Sequence, residues 1–219
     1  MVDNLAIFTC ARDSVSCRTL KSVLSLLNID LKFNWAIQET SPIGRARSIA
    51  ASQFLRDTQL PYMIFVDGDM EFEKGVVLGI IDALKKGNDV VSALYPTHDE
   101  QQLVFSKKEG DSDSYPFNKL AEVRCVGMGL AGISRDILER IRPTLEPVNK
   151  EGAEWYPFFQ SRITDGRFWG EDCDFCEKVR SVGGKVLVHT GLWAGHIKTR
   201  VCTVGKALEN IKEKGEPIE

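Results

Sequence analysis

At 219 residues, with 43% hydrophobic and 27% charged residues, the chain has the composition of an ordinary soluble globular domain with a sizeable core. A formal net charge of −3, with basic residues scattered among acidic ones, gives no footprint for a nucleic-acid backbone or an anionic membrane surface. No apolar run nears the roughly 20 residues that span a bilayer, and the N-terminal MVDNLAIFTC has no basic region, apolar stretch and cleavage site, so a cytoplasmic chain without a membrane span is expected.

Residues 5–9 form a short apolar run, and Leu20, Val23, Leu24 and Leu27 follow at helical spacing: a strand, then a helix. Residues 31–37 have strand composition. Across residues 43–55, Ala46, Ile49, Ala50 and Phe54 lie on one helical stripe, and residues 62–66 are a continuous apolar run of the kind buried in a parallel sheet. A helix over residues 76–84 and a buried strand over 89–94 come next. This alternation predicts an α/β fold, with a mostly parallel central sheet flanked by helices and right-handed crossovers.

The second half changes rhythm. A polar loop (107–114), a strand (122–126) and a glycine-spaced turn (Gly127, Gly129, Gly132) lead to a helix over 135–141. A long stretch with prolines and aromatics (142–169), of the kind that forms binding loops or lids, precedes a helix from Glu171, a strand over 185–189 and a C-terminal helix. The six cysteines (Cys10, Cys17, Cys125, Cys173, Cys176, Cys202) sit in strand-like or helical apolar segments and are expected to be reduced. Cys173 and Cys176 form a C-x-x-C that lacks the second pair a structural zinc site needs.

Two acidic motifs carry the chemistry. In YMIFVDGDMEF a buried strand ends in Asp67, Gly68 and Asp69, which puts two carboxylates at the carboxyl edge of a sheet, where ligands bind. Across a single glycine they can converge on Mg²⁺ or Mn²⁺ with a diphosphate, or form a solvated turn. An EF-hand would need glycine where Phe72 stands, and a haloacid-dehalogenase-type phosphatase would need Thr or Val where Glu71 stands. In RFWGEDCDFCEKVRSV, Phe175, Val179 and Val182 mark a buried helical stripe that includes Asp172, while Asp174, Glu177 and Lys178 point away. At a first helical turn Asp172 is held ionised, ready to accept a proton from a hydroxyl, or it caps the helix; Glu171 beside it can orient an acceptor.

FVDGDMEF, GMGLAGIS and WGEDCDF together resemble the GT-A glycosyltransferases, especially family-2-like and β-1,4-galactosyltransferase-like members, over most of the chain. The size is similar to that of stand-alone GT-A domains, including virus-encoded ones. The resemblance implies one GT-A domain over residues 1–219, with residues 1–100 binding the nucleotide sugar and residues 101–219 binding the acceptor and carrying catalysis. It implies Mn²⁺ or Mg²⁺ on Asp67 and Asp69, completed by His196, and Asp172 as general base of an inverting transfer. The donor would be a UDP- or GDP-linked hexose, UDP favoured, and the acceptor a glycan or protein-linked hydroxyl, with no nucleic acid involved. Thr9 and Arg12 occupy the family's nucleoside loop, Gly68 belongs to the donor-binding set with Asp67 and Asp69, and the turn Gly127–Gly129 either lets backbone approach a sugar closely or is a plain tight turn. SPIGRARSIAASQFL resembles the helix that carries an Arg-Asn pair; here Arg47–Ser48 stands there, and Arg45 or Arg47 either reaches a phosphate or is a surface arginine. Lys198 and Arg200 either fold over the diphosphate or are solvated. Trp155, Tyr156, Phe158, Phe159 and Trp169 either stack on sugar rings or pack a lid on the core. His98 and His189 read as structural. The alternatives are a nucleotidyltransferase, for which the loop TCARDS lacks the expected glycines, and a non-catalytic nucleotide-sugar-binding module.

Overall fold

Runs such as Met63–Ile64–Phe65–Val66 are apolar at every position because both faces of their strand are covered. Successive side chains point to opposite faces, so Met63 and Phe65 join one core cluster and Ile64 and Val66 the other. The computed structural model describes residues 3–29, 31–97, 102–108, 115–150, 153–164 and 166–198. In chain order these form β1 (Asp3–Ala11), α1 (Cys17–Leu24), β2 (Leu31–Glu39), α2 (Ile43–Asp57), β3 (Tyr62–Asp67), β4 (Met70–Phe72), α3 (Lys74–Lys85), β5 (Val90–Leu94) and β6 (Phe105–Ser106). Then come β7 (Leu120–Glu122), β8 (Cys125–Val126), β9 (Leu130–Ser134), α4 (Arg135–Ile141), β10 (Val148–Lys150), β11 (Ala153–Trp155), β12 (Arg162–Thr164), β13 (Arg167–Trp169), α5 (Glu171–Ser181) and β14 (Val186–His196).

The central sheet runs β2-β1-β3-β9-β5-β14-β4, with β7 also paired to β14. β2, β1, β3, β5 and β14 share one direction, while β9 lies antiparallel between β3 and β5. β4 and β7 run antiparallel to β14. Phe54 of α2, Ile137 of α4 and Phe175 of α5 fill one core cluster; Val23 of α1 and Ile80 of α3 fill the other. Fully burying one such side chain contributes about 1.5–3 kcal/mol.

Several elements differ from the sequence expectation. The first helix ends in a 3₁₀ turn (Ser25–Asn28), which shifts the buried stripe to Thr19, Ser22, Val23 and Leu26 and leaves Leu24 and Leu27 exposed. Gly132 is not in the turn but inside β9, an interior strand that its glycine disguised. The last strand continues past residue 189 to His196, with an irregularity between His189 and Trp193, and its far end pairs with β4. The stretch over 142–169 holds two hairpins, β10–β11 and β12–β13. Phe158 and Phe159 are buried, and Phe159 stacks on Phe175 with centroids 4.2 Å apart, so these rings pack the loop onto the core. Ser48 and Ser52, one turn apart on α2, pin the same loop by accepting the Phe159 and Tyr156 amides at 2.9 Å each.

Cys125 of β8 and Cys173 of α5 are joined in a disulfide, their Cα atoms 5.2 Å apart, which corrects the expectation of six reduced thiols. The two lie in different apolar elements that the fold places face to face. Cys10 and Cys176 are buried free thiols, and Cys202 lies outside the described residues, as do His98, Arg200 and the expected C-terminal helix. Among the described residues no helix is long and apolar enough to cross a membrane.

Candidate functional site

The carboxyl ends of β1 and β3 and the first turn of α5 meet at one edge of the sheet. There a cleft of roughly 750 Å³ is lined by Arg12, Ser14, Asp67, Gly68, Asp69 and Lys198 among others. The Asp67–Gly68–Asp69 turn is built tightly into the loop after β1. Gly68 N–H donates to Cys10 O, its carbonyl accepts from Ser16 N at 2.7 Å, and a Cβ at Gly68 would stand 2.9 Å from Ser14 O, so only glycine fits.

Beneath the cleft lies Arg47, its side chain 4% exposed. Nη2 donates to Asp67 Oδ2 at 2.7 Å; Nη1 donates to Glu171 Oε1 at 3.0 Å and also to Asp172 Oδ1. The other oxygen of Asp172 accepts from Met128 N at 3.2 Å. Arg47 is therefore neither a surface arginine nor in the cleft wall; Arg45 is the exposed member of the pair. Burial alone disfavours the charged guanidinium, but Asp172, Asp67 and Glu171 outweigh it and keep Arg47 ionised.

One guanidinium faces three carboxylates, and burial pushes the Asp172 carboxyl up to about 6, with Arg47 opposing and Glu171 and Asp67 adding to the rise. Burial also raises Asp67, again against Arg47. Asp67 Oδ1 is buried with no hydrogen-bond partner among the described residues. An unpaired buried carboxylate oxygen is costly unless a cation or donor reaches it.

The antiparallel pairing of β14 with β4 sets His196 opposite Met70, and Ile197 N donates to Asp69 O at 2.7 Å. His196 Nε2 then stands 3.2 Å from Asp69 Oδ2, while Nδ1 lies 3.0 Å from Pro96 O. A carbonyl can only accept, so Nδ1 is the nitrogen placed to donate to it, and Nε2 is the one that faces the carboxylate oxygen. Among the described residues no group of three or more His, Cys, Asp or Glu side chains is arranged to hold a metal ion. The expected trio divides: Asp69 and His196 meet, whereas Asp67 Oδ2 is held by Arg47. The orphaned Asp67 oxygen, the excess of carboxylate and the hard oxygen-imidazole pair nevertheless fit a divalent cation completed by ligand oxygens.

Other expected residues are placed differently. Thr9 is buried and its hydroxyl accepts from Trp35 Nε1 at 2.9 Å, a core anchor outside the cleft wall. The missing side chains at Gly127 and Gly129 make room for Tyr95: a Cβ would stand 2.1 Å from its hydroxyl at Gly127 and 3.0 Å from its ring at Gly129. Gly129 N–H donates to that hydroxyl at 2.9 Å, while its carbonyl accepts from Asp67 N at 2.8 Å. Asp174, expected to face outward, is buried and paired with Arg162 at 2.8 Å and with Lys178. Arg47 as a carboxylate hub was not legible in the sequence, although its place on α2 two residues from Arg45 and beside Ala46 and Ala50 put it on the inward stripe.

The sequence matches no protein-family model and no curated protein. Solved structures do resemble the fold. The crystal structure of A197 from STIV matches with a TM-score of 0.55 at 15% identity, covering 93% of this chain and 98% of that one. A structure of GalNAc-T7 with UDP, GalNAc and Mn²⁺ matches with a TM-score of 0.51 at 13% identity, covering 90% of this chain and 44% of that one. The mixed α/β architecture, a large central sheet flanked by helices, is thus similar to the GT-A glycosyltransferase fold.

Proposed function

We propose that the protein is a metal-dependent glycosyltransferase that moves a hexose from a nucleoside-diphosphate sugar, UDP-linked in preference to GDP-linked, to an acceptor hydroxyl on a glycan or protein. The observation that carries this reading is the convergence, at one sheet edge, of the Asp69–His196 pair with the Arg47-bound Asp172. The likeness to a fold solved with UDP, GalNAc and Mn²⁺ supports it.

Asp69 and His196 would hold Mn²⁺ or Mg²⁺, and the unpartnered Asp67 oxygen is a further candidate ligand. Such an ion would supply positive charge to offset that of the donor diphosphate. Arg12 and Lys198, both in the cleft wall, add cations from the protein. Asp172, with a side chain 24% exposed, retains lone pairs beyond those given to Arg47 and Met128. It takes the proton of the acceptor hydroxyl as that oxygen bonds to the anomeric carbon and the bond to the diphosphate breaks, which inverts the configuration. Glu171, tied to the same Arg47, orients the acceptor side.

The test is release of nucleoside diphosphate from a panel of UDP- and GDP-sugars with Mn²⁺, Mg²⁺ or EDTA, using the native chain and Asp69→Ala. Metal-dependent release from one donor, lost in the variant, is expected. No release and no metal-dependent binding of any nucleotide sugar would overturn the reading.

A further inference from the structure

A second cleft, of roughly 610 Å³, is lined by Leu103, Phe105, Tyr115, Phe117 and Trp193, with Tyr95 and Pro96 in its wall. His196 stands between it and Asp69 of the first. Pro96 O pairs with His196 Nδ1, the other ring nitrogen of His196 faces Asp69, and the Tyr95 ring meets His196 edge-on with centroids 5.8 Å apart. The volume is that of a small-molecule site.

Lys107 and the Tyr115 hydroxyl aside, its walls present mostly carbon. Trp193 Nε1 donates to Thr190 O at 2.9 Å, and the Thr190 hydroxyl donates to Pro116 O and accepts from Lys119 N. The Tyr95 hydroxyl accepts from Gly129 N, away from the cleft. Phe117 and Trp193 are 70% and 60% exposed, and they meet edge-to-face at 5.8 Å. Phe105 and Tyr115 make a second such pair at 5.7 Å. A ligand rich in hydroxyls would lose its water here and find few partners, whereas a flat apolar ring finds both ring faces and ring edges.

We propose that this cleft is the acceptor subsite and that it takes an aromatic group carried by the acceptor. The proposal rests on the transferase reading and narrows its acceptor class. It is tested on the full chain by calorimetric titration with phenyl β-D-glucopyranoside and with methyl β-D-glucopyranoside, alongside titration with UDP and Mn²⁺. Phenyl glucoside is expected to bind about tenfold more tightly than the methyl compound, and Trp193→Ala and Phe117→Ala each to remove most of that difference while UDP binding holds. Phe117 lies outside the strands, so Phe117→Ala carries the test if Trp193→Ala does not fold. Equal binding of the two glucosides, or a preference that survives both substitutions, overturns the proposal and leaves the transferase reading standing if UDP binds. Phenyl preference without any UDP binding overturns the acceptor assignment together with that reading.

Discussion

Arg47 is reached by carboxylates from β3 and from α5, the latter 124 and 125 residues further along the chain. Breaking a buried ion cluster from one side leaves uncompensated charge, and here Arg47→Met would leave three carboxylates around an apolar chain. Such a change is expected to lower unfolding stability by about 3–5 kcal/mol, read by urea denaturation at pH 7. Arg47→Lys keeps the charge but not the fork that meets three partners, so it should recover only part of that loss. The same cluster sets the pH behaviour of Asp172. A general base works only when ionised, so the rate of diphosphate release should fall as pH drops through about 6. Asp172→Asn should slow transfer by about 10²–10⁴-fold with UDP binding retained; unchanged transfer would remove Asp172 from the mechanism. The linkage to folding has the opposite sense from that of a salt-bridged acid with a lowered value. Because burial raises the folded-state value above 3.8, the contribution of this proton to stability is complete below that pH and is lost as pH rises through about 6.

The helix that carries Asp172 is tied at its first turn to β8 by the Cys125–Cys173 disulfide, and Met128, just beyond β8, donates to Asp172 itself. Closing a loop of 48 residues restricts the unfolded chain by about 4 kcal/mol on the loop-entropy estimate. The paired substitution Cys125→Ser with Cys173→Ser should therefore move the urea midpoint down by a corresponding amount, and dithiothreitol should do the same to the native chain. An unchanged midpoint would show that the bond contributes nothing to stability. At this scale the sequence was legible where an element's own pattern decides it: the helix over residues 135–141 and the start of α5 at Glu171 follow from local spacing. It was less legible where a partner decides. β9 is an interior strand because β3 and β5 flank it, and the buried face of α1 turns because a 3₁₀ turn closes its end. The disulfide depends on α5 lying against β8, which no spacing of cysteines encodes.

At the scale of the whole molecule, the sheet brings the ends of β1 and β3, the β4–β14 pairing and the start of α5 to one edge, and two clefts open on either side of the Tyr95–Pro96 and His196 contact. Asp67, Asp69 and Asp172 could be named as candidates beforehand because acids that end a buried strand or lie on the apolar stripe of a helix break the local pattern. The aromatic cleft could not, since it joins Tyr95, Phe105, Tyr115 and Phe117 to Trp193, far along the chain, and each of these rings alone reads as ordinary packing. The loop after β1, the turn after β3 and the end of β14 close on the first cleft together, so a ligand bridging them stabilises the fold through all three. A ligand at a hundredfold its dissociation constant adds about 2.7 kcal/mol to unfolding free energy when it binds only the folded chain. UDP with Mn²⁺ should therefore raise the melting temperature of the native protein, and EDTA should abolish most of the rise. Asp69→Ala should keep the unliganded melting temperature near native and lose the metal-dependent part, because its side chain is 40% exposed; His196→Ala should lose that part too, but from a lower unliganded value, because His196 is only 13% exposed, meets Pro96 O and packs edge-on against Tyr95. An equal rise with EDTA would place the nucleotide in the cleft without the metal, and would move the burden of charge neutralisation onto Arg12 and Lys198.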